Sequence, residues 1–144
     1  METTPRLTLK ANKSKFPKVK ITDPTSATSF IRGLWGSDMG LIESCFILLL
    51  NHANETIGYA KISQGGVSST IIDPKVVAFY AVKHLASAVI MAHNHPSGNT
   101  KPSHADIALT KRIKDGLSIL DITLWDHIIL TEDSFCSSGD EGYI

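Results

Sequence analysis

The chain has 144 residues, 15.6 kDa and 42% hydrophobic content, which fits one globular domain with a real core and leaves little room for a second. Fourteen Lys+Arg balance fourteen Asp+Glu, so no global field draws the protein to nucleic acid or a membrane. Apolar runs such as Cys45 to Leu50 fall far short of the ~20 residues that span a bilayer, the start METTPRLTLK is no secretory signal, and Cys45 and Cys136 are too few for a disulfide framework; a soluble cytoplasmic domain is expected.

Residues 1–20 carry six basic side chains and one acid, Glu2, a net +5 that the remaining residues balance with −5. Residues 1–18 therefore read as a basic flexible arm, either a solubilising terminus or a contact for phosphate backbones, and 19–144 as the folded domain. Val19 to Thr22 alternates like a short strand. Asp23-Pro24 supplies an N-cap and a proline at the first helical position, with Phe30, Ile31, Leu34 and Trp35 as the apolar stripe. Glu43 to Leu50 reads as a buried strand, Asn51 to Asn54 as a turn, and Thr56 to Ser63 as its hairpin partner.

Val67 to Ile72, rich in β-branched residues, predicts a further strand. Asp73-Pro74 repeats the cap-plus-proline signal and opens a helix through about Ser87, with Val77, Tyr80, Ala81, His84 and Leu85 on one face. Ala88 to Ala92 is a short buried strand, Pro102-Ser103 starts a helix with Ile107, Ile113 and Leu117 inward, and Ile122 to Leu130 is a last strand. Thr131 to Ile144, polar and acidic, reads as an irregular tail. Strands alternating with helices, plus a hairpin, indicate an α/β sandwich built on a mixed β-sheet flanked by helices.

Chemistry concentrates after the strand at Ala88 to Ala92. In an extended backbone His93 and His95, two apart, point to the same side and can share one ion. Asp106 falls in the first turn of the next helix, and a loop with Gly98 and Pro102 can fold that turn back over the pair. Two imidazoles and a carboxylate are three tetrahedral ligands with a fourth position open, the arrangement of a catalytic zinc, which lowers its water's pKa to ~7. The general base should be a carboxylate from elsewhere in the sheet, and Glu43, heading an apolar strand, is the best placed.

Each residue also has a plainer reading. Ser103-x-x-Asp106 is a capping box as it stands, a strand-end histidine can be a hydrogen-bonded structural residue, and Glu43 can mark a strand's wet end. The letters His93-Asn94-His95 invite a nuclease reading, but motifs of that name scatter their residues over dozens of positions. His127, beside Asp126, reads equally as a partner behind the ligands, a substrate contact or a core histidine. His104 should point to solvent, His52 belongs to a turn, His84 should be partly buried, and Ser97 lacks the surroundings of a nucleophile. Cys45 should be buried and inert, Cys136 a free thiol, and Trp35 and Trp125 packing residues.

His93-x-His95-x₁₀-Asp106, with Pro96, Pro102 and Ser103 in register, resembles the JAMM motif of JAB/MPN metallopeptidase domains. The longer string HNHPSGNTKPSHAD, followed by Thr110 and by Asp126-His127-Ile128-Ile129, resembles the RadC family in particular, over roughly Thr22 to Gly142. The resemblance implies a JAB/MPN (cytidine-deaminase-like) sandwich, zinc ligands His93, His95 and Asp106, Glu43 as general acid/base, and Ser103 as hydrogen-bond donor to the developing oxyanion. It implies hydrolysis of an amide or isopeptide bond in a peptide or protein. Deaminase chemistry is not supported, since no P-C-x-x-C pair exists in the chain.

This sequence departs from the RadC pattern in three places: only the basic arm stands where a helix-hairpin-helix module usually precedes the domain, Gly65-Gly66 replaces Gly-Thr, and Pro74-Lys75 replaces Pro-Arg. The alternatives to a zinc metallopeptidase are a DNA-repair or mobile-element protein that contacts nucleic acid through its basic arm, and a non-catalytic scaffold. Substrate and oligomeric state are not legible.

Overall fold

The computed structural model describes residues 6–9, 15–65 and 72–144. In chain order they form α1 (Pro24–Arg32), β1 (Ser44–Leu50), β2 (Thr56–Gln64), α2 (Pro74–Lys83), β3 (Ala88–Asn94), α3 (His104–Ser118), β4 (Thr123–Leu130) and β5 (Phe135–Ser137). The five strands make one sheet in the order β2-β1-β3-β4-β5. β1 pairs antiparallel with both neighbours, β3 and β4 run parallel with α3 as their crossover, and β5 returns antiparallel. The result is the α/β sandwich with a mixed sheet that the sequence predicts.

Helices cover both faces, which explains why β1 and β3 read as continuous apolar runs rather than as alternation. Every residue of both strands is buried. On one face Cys45, Ile47, Leu49, Val89 and Met91 pack with Val77 and Ala81 of α2 and Ile113 and Leu117 of α3. On the other, Leu48, Leu50, Ile90, Ala92 and Ile128 pack with Ala27 and Ile31 of α1.

Local signals set the helix starts. The Asp23 carboxylate accepts from Ser26 N–H at 2.7 Å and Ser26 Oγ accepts from Asp23 N–H at 3.2 Å, a reciprocal cap ahead of Pro24. Asp73 caps α2 through Lys75 N–H at 2.9 Å. That helix stops at Lys83, short of the expected Ser87, because Leu85 takes a left-handed φ of 53° that reverses the chain and leaves its side chain 69% exposed. His84 caps this end and is exposed, not partly buried, with Nδ1 on the Tyr80 carbonyl.

Other expectations change with tertiary context. Val19 to Thr22 is not a strand: Lys20 makes one isolated bridge to Glu55, flanked by Ile21 N–H on Asn54 O and Thr56 N–H on Val19 O. Of the strand expected over 67–72, residues 67–71 lie outside the described ones, and Ile72 is buried without strand structure. The acidic tail is not wholly irregular, since β5 pairs Phe135, Cys136 and Ser137 with Leu130, Ile129 and Ile128. Arg32 holds the preceding turn by donating to the Thr131 and Ser134 carbonyls, each at 2.8 Å. The expected arm partly joins the fold, with Phe16 against Phe30 and Tyr59 and Pro17 O accepting from Thr56 Oγ1 at 2.6 Å.

Three element ends meet at one edge of the layers. Cys45, second residue of β1, pairs with His93 near the end of β3, which puts Glu43 beside the histidines. The buried Asn94 points to the opposite face from His93 and ties this corner together. Its Oδ1 accepts from Ser44 N–H at 2.7 Å, and its Nδ2 donates to Met39 O at 2.6 Å and Ile42 O at 2.8 Å.

Candidate metal centre

His93 is carried by the last turn of the β3 ladder and is 1% exposed; His95 follows directly after the strand and is partly open. Their Nε2 atoms face each other at 2.9 Å, with ring planes at 62°. Asp106, third residue of α3, brings Oδ1 to 3.5 Å from His93 Nε2 and Oδ2 to 3.4 Å from His95 Nε2. Tetrahedral metal–ligand bonds of 2.0–2.1 Å give ligand–ligand edges of about 3.3 Å; each carboxylate oxygen lies near that distance from one imidazole, while the two imidazole nitrogens stand closer together than an edge. Glu43, 8% exposed, completes the cluster: one ligand atom each from Glu43, His93 and His95 lie within 4.8 Å of one another.

The ring hydrogen bonds test whether these residues fit a cation. His95 Nδ1 lies 2.7 Å from the Asn99 carbonyl oxygen; a carbonyl only accepts, so the proton is on Nδ1 and the neutral ring presents a bare Nε2 to the site. His93 Nε2 lies 2.9 Å from it, close enough for the two rings to share one proton or one metal ion. The donor set fits a divalent transition metal, with His95 oriented by the carbonyl behind it.

Electrostatics agree with a site built for positive charge. The hydrogen bond to Asp106, working against burial, raises the pKa of His95 above the ordinary imidazole value. Burial works to raise the Asp106 carboxyl, but the adjoining His93 and His95 rings outweigh it and hold it far below the carboxylate range. Burial, reinforced by the neighbouring His93, pushes His127 well below the ordinary imidazole value. Cys45, directly beside His93 in the sheet, is fully buried, which raises its thiol and keeps it neutral.

The sequence profile of the RadC-like JAB domain matches residues 21–143. The chain belongs to the RadC family. It is 44% identical over 103 residues to a UPF0758 protein of Porphyromonas gingivalis, covering 71% of this chain and 45% of that one. A UPF0758 protein of Flavobacterium johnsoniae is 42% identical over 100 residues, 69% of this chain and 44% of its own length. One from Staphylococcus epidermidis is 38% identical over 130 residues, 90% of this chain and 57% of its own. The chain thus spans about half the length of the curated relatives it matches.

In this RadC domain the five residues singled out from sequence fall into one neighbourhood, and for Ser103 the plain reading holds. Ser103 does cap α3: its Oγ accepts from Asp106 N–H at 3.0 Å while Ser103 N–H donates to Asp106 Oδ2 at 2.8 Å. The cap uses a lone pair of Oγ and leaves its proton free, and it also aims the Asp106 carboxylate at the histidines. Ser97 Oγ only accepts from Asn99 N–H in a turn, and His52 and His104 are exposed. The sequence reading quoted Asn94 between the histidines and Thr110 after the motif but gave neither a role. The strand period could have flagged Asn94, since the middle letter of His-Asn-His must face the opposite layer; Thr110, four residues after Asp106 on a helix, carried the same kind of signal. No helix among the described residues is long and apolar enough to cross a membrane.

Proposed function

We propose that this RadC-family domain is a zinc-dependent hydrolase of the JAMM type that cleaves an amide or isopeptide bond in a peptide or protein. The observation that carries the reading is the convergence of His93 Nε2, His95 Nε2 and the Asp106 carboxylate, with Glu43 within 4.8 Å of the two histidines. His93, His95 and Asp106 would hold the zinc. Bound zinc supplies Lewis acidity, lowering the pKa of a water to ~7 and polarising the scissile carbonyl.

The chain's own groups do the rest. The Glu43 carboxylate, at the head of β1 and outside the Asp106 edge distances, takes a proton from the attacking water and delivers it to the leaving nitrogen. Ser103 Oγ–H, free of the cap, donates to the oxygen that gains negative charge. A polar cleft of about 480 Å³ between the Asn99–Pro102 loop and the chain near Asp140 and Tyr143 adjoins the carbonyl that orients His95, and its size suits one or two substrate side chains.

The test is metal content after zinc loading and gel filtration, followed by mass-spectrometric detection of cleavage in a peptide and isopeptide panel. Near-stoichiometric zinc is expected, lost in His93→Ala and His95→Ala along with cleavage. A wild-type chain that retains no zinc after loading ends the proposal.

A further inference from the structure

His93 does not back onto a carbonyl or a carboxylate, as metal-binding histidines usually do. Its Nδ1 lies 2.6 Å from Nε2 of a second histidine, His127 of β4, which is 1% exposed. His127 Nδ1 in turn meets Thr110 Oγ1 on α3, and Thr110 Oγ1 lies 2.6 Å from the carbonyl oxygen of Asp106. Three consecutive short contacts thus lead from His93 back to the backbone of another residue of the same site.

The placement of protons along this chain follows from valence alone. The Asp106 carbonyl only accepts, so the single Thr110 hydroxyl proton points to it, a back-bond to the residue four earlier in the helix. Thr110 Oγ1 must then accept from His127, which puts the His127 proton on Nδ1. A second proton on His127 would bury an uncompensated charge between two layers of core. His127 Nε2 is therefore bare, and the 2.6 Å contact needs the proton of His93 Nδ1. That leaves His93 Nε2 as a lone pair aimed at His95 and Asp106.

We infer that His127 and Thr110 are positioning residues that lock His93 in its Nδ1–H tautomer and so keep its Nε2 available to a metal ion. The relay also joins the two sides of the site, since its far end is anchored on Asp106, whose side chain faces the same ion position. β3, β4 and α3 each contribute a member, so the tautomer is set by the packing of the layers and not by a mobile loop. The metal part of this inference rests on the zinc reading above; the proton order does not.

The experiment pairs imidazole ¹⁵N correlation spectra of the full chain with zinc competition against a chromophoric chelator. In the metal-free wild type at about pH 8 the spectra should show protons on Nδ1 of both His93 and His127 and a bare His127 Nε2. His127→Leu and Thr110→Val should weaken zinc binding by roughly 10–100-fold, while His127→Gln, which keeps an acceptor near the Nε2 position, and Thr110→Ser should stay within about threefold of wild type. A proton on His127 Nε2, or folded Leu and Val variants with wild-type zinc affinity, overturns the inference. If His127→Leu fails to fold, the wild-type spectrum and the Thr110 pair decide. A wild type that binds no zinc but shows this proton order removes the hydrolase reading and leaves the relay standing.

Discussion

Two carboxylates stand beside the same pair of imidazoles, and their surroundings divide the work between them. Asp106 is clamped by the Ser103 backbone N–H and lies at metal-edge distances from both rings, which suits a fixed ligand. Glu43 sits at the head of β1, behind a loop whose carbonyls Asn94 holds. Asp106→Asn is therefore expected to lose zinc, whereas Glu43→Gln should keep it and lower the cleavage rate by roughly 10²–10⁴, the usual worth of a general base. Metal analysis and initial rates on the same preparations check this; zinc loss in Glu43→Gln as complete as in Asp106→Asn would make Glu43 a ligand and leave the site without its base.

The start of α3 does two jobs with one residue. Ser103 caps the helix through its lone pair, and in the proposed reaction its hydroxyl proton serves the developing oxyanion. Ser103→Ala should cost about 1 kcal/mol of stability, and Ser103→Gly only a few tenths, because glycine tolerates the cap position. Both should lose the hydroxyl's share of catalysis, so urea unfolding separates the two variants while cleavage rates do not. Equal stability with a large rate difference between them would show that the hydroxyl does not act on the substrate. The same element shows how far sequence reading reaches: the Ser-x-x-Asp spacing identified the cap and the His-x-His…Asp order suggested that its carboxylate turns to the histidines, while the packing of α3 against β4 sets where it stands.

Over the whole molecule the site makes stability depend on pH in a characteristic way. His95 has a raised pKa in the metal-free protein, so its contribution is fully present below about pH 6.5 and is lost as pH rises through the folded value. His127 has a depressed one, so its contribution is present above about pH 6.5 and is lost as pH falls. The urea midpoint of the metal-free protein should therefore peak near pH 6.5 and decline on both sides between about pH 5 and 8. Saturating zinc, which binds deprotonated ligands, should abolish the alkaline decline and add about 2.7 kcal/mol at a hundredfold excess over Kd. An alkaline decline of unchanged slope in His95→Asn would remove His95 as its source.

The succession from α1 to β4, the three helix starts and the placing of His93 and His95 on one side were determined by the sequence itself. Caps, prolines and the two- and 3.6-residue periods act over a few neighbours, so they are legible without a partner. What tertiary structure alone decided lies between distant segments. Ser44 meets Asn94 across 50 positions and His93 meets His127 across 34, and both contacts follow from sheet register. β5 exists because an exposed edge of β4 accepts an otherwise polar tail, and α2 ends where a leucine, without glycine to announce it, takes a left-handed turn. Glu43 becomes a member of the site only because β1 runs antiparallel beside β3, a choice made by the burial of two apolar strands between helical layers and by no local feature of either.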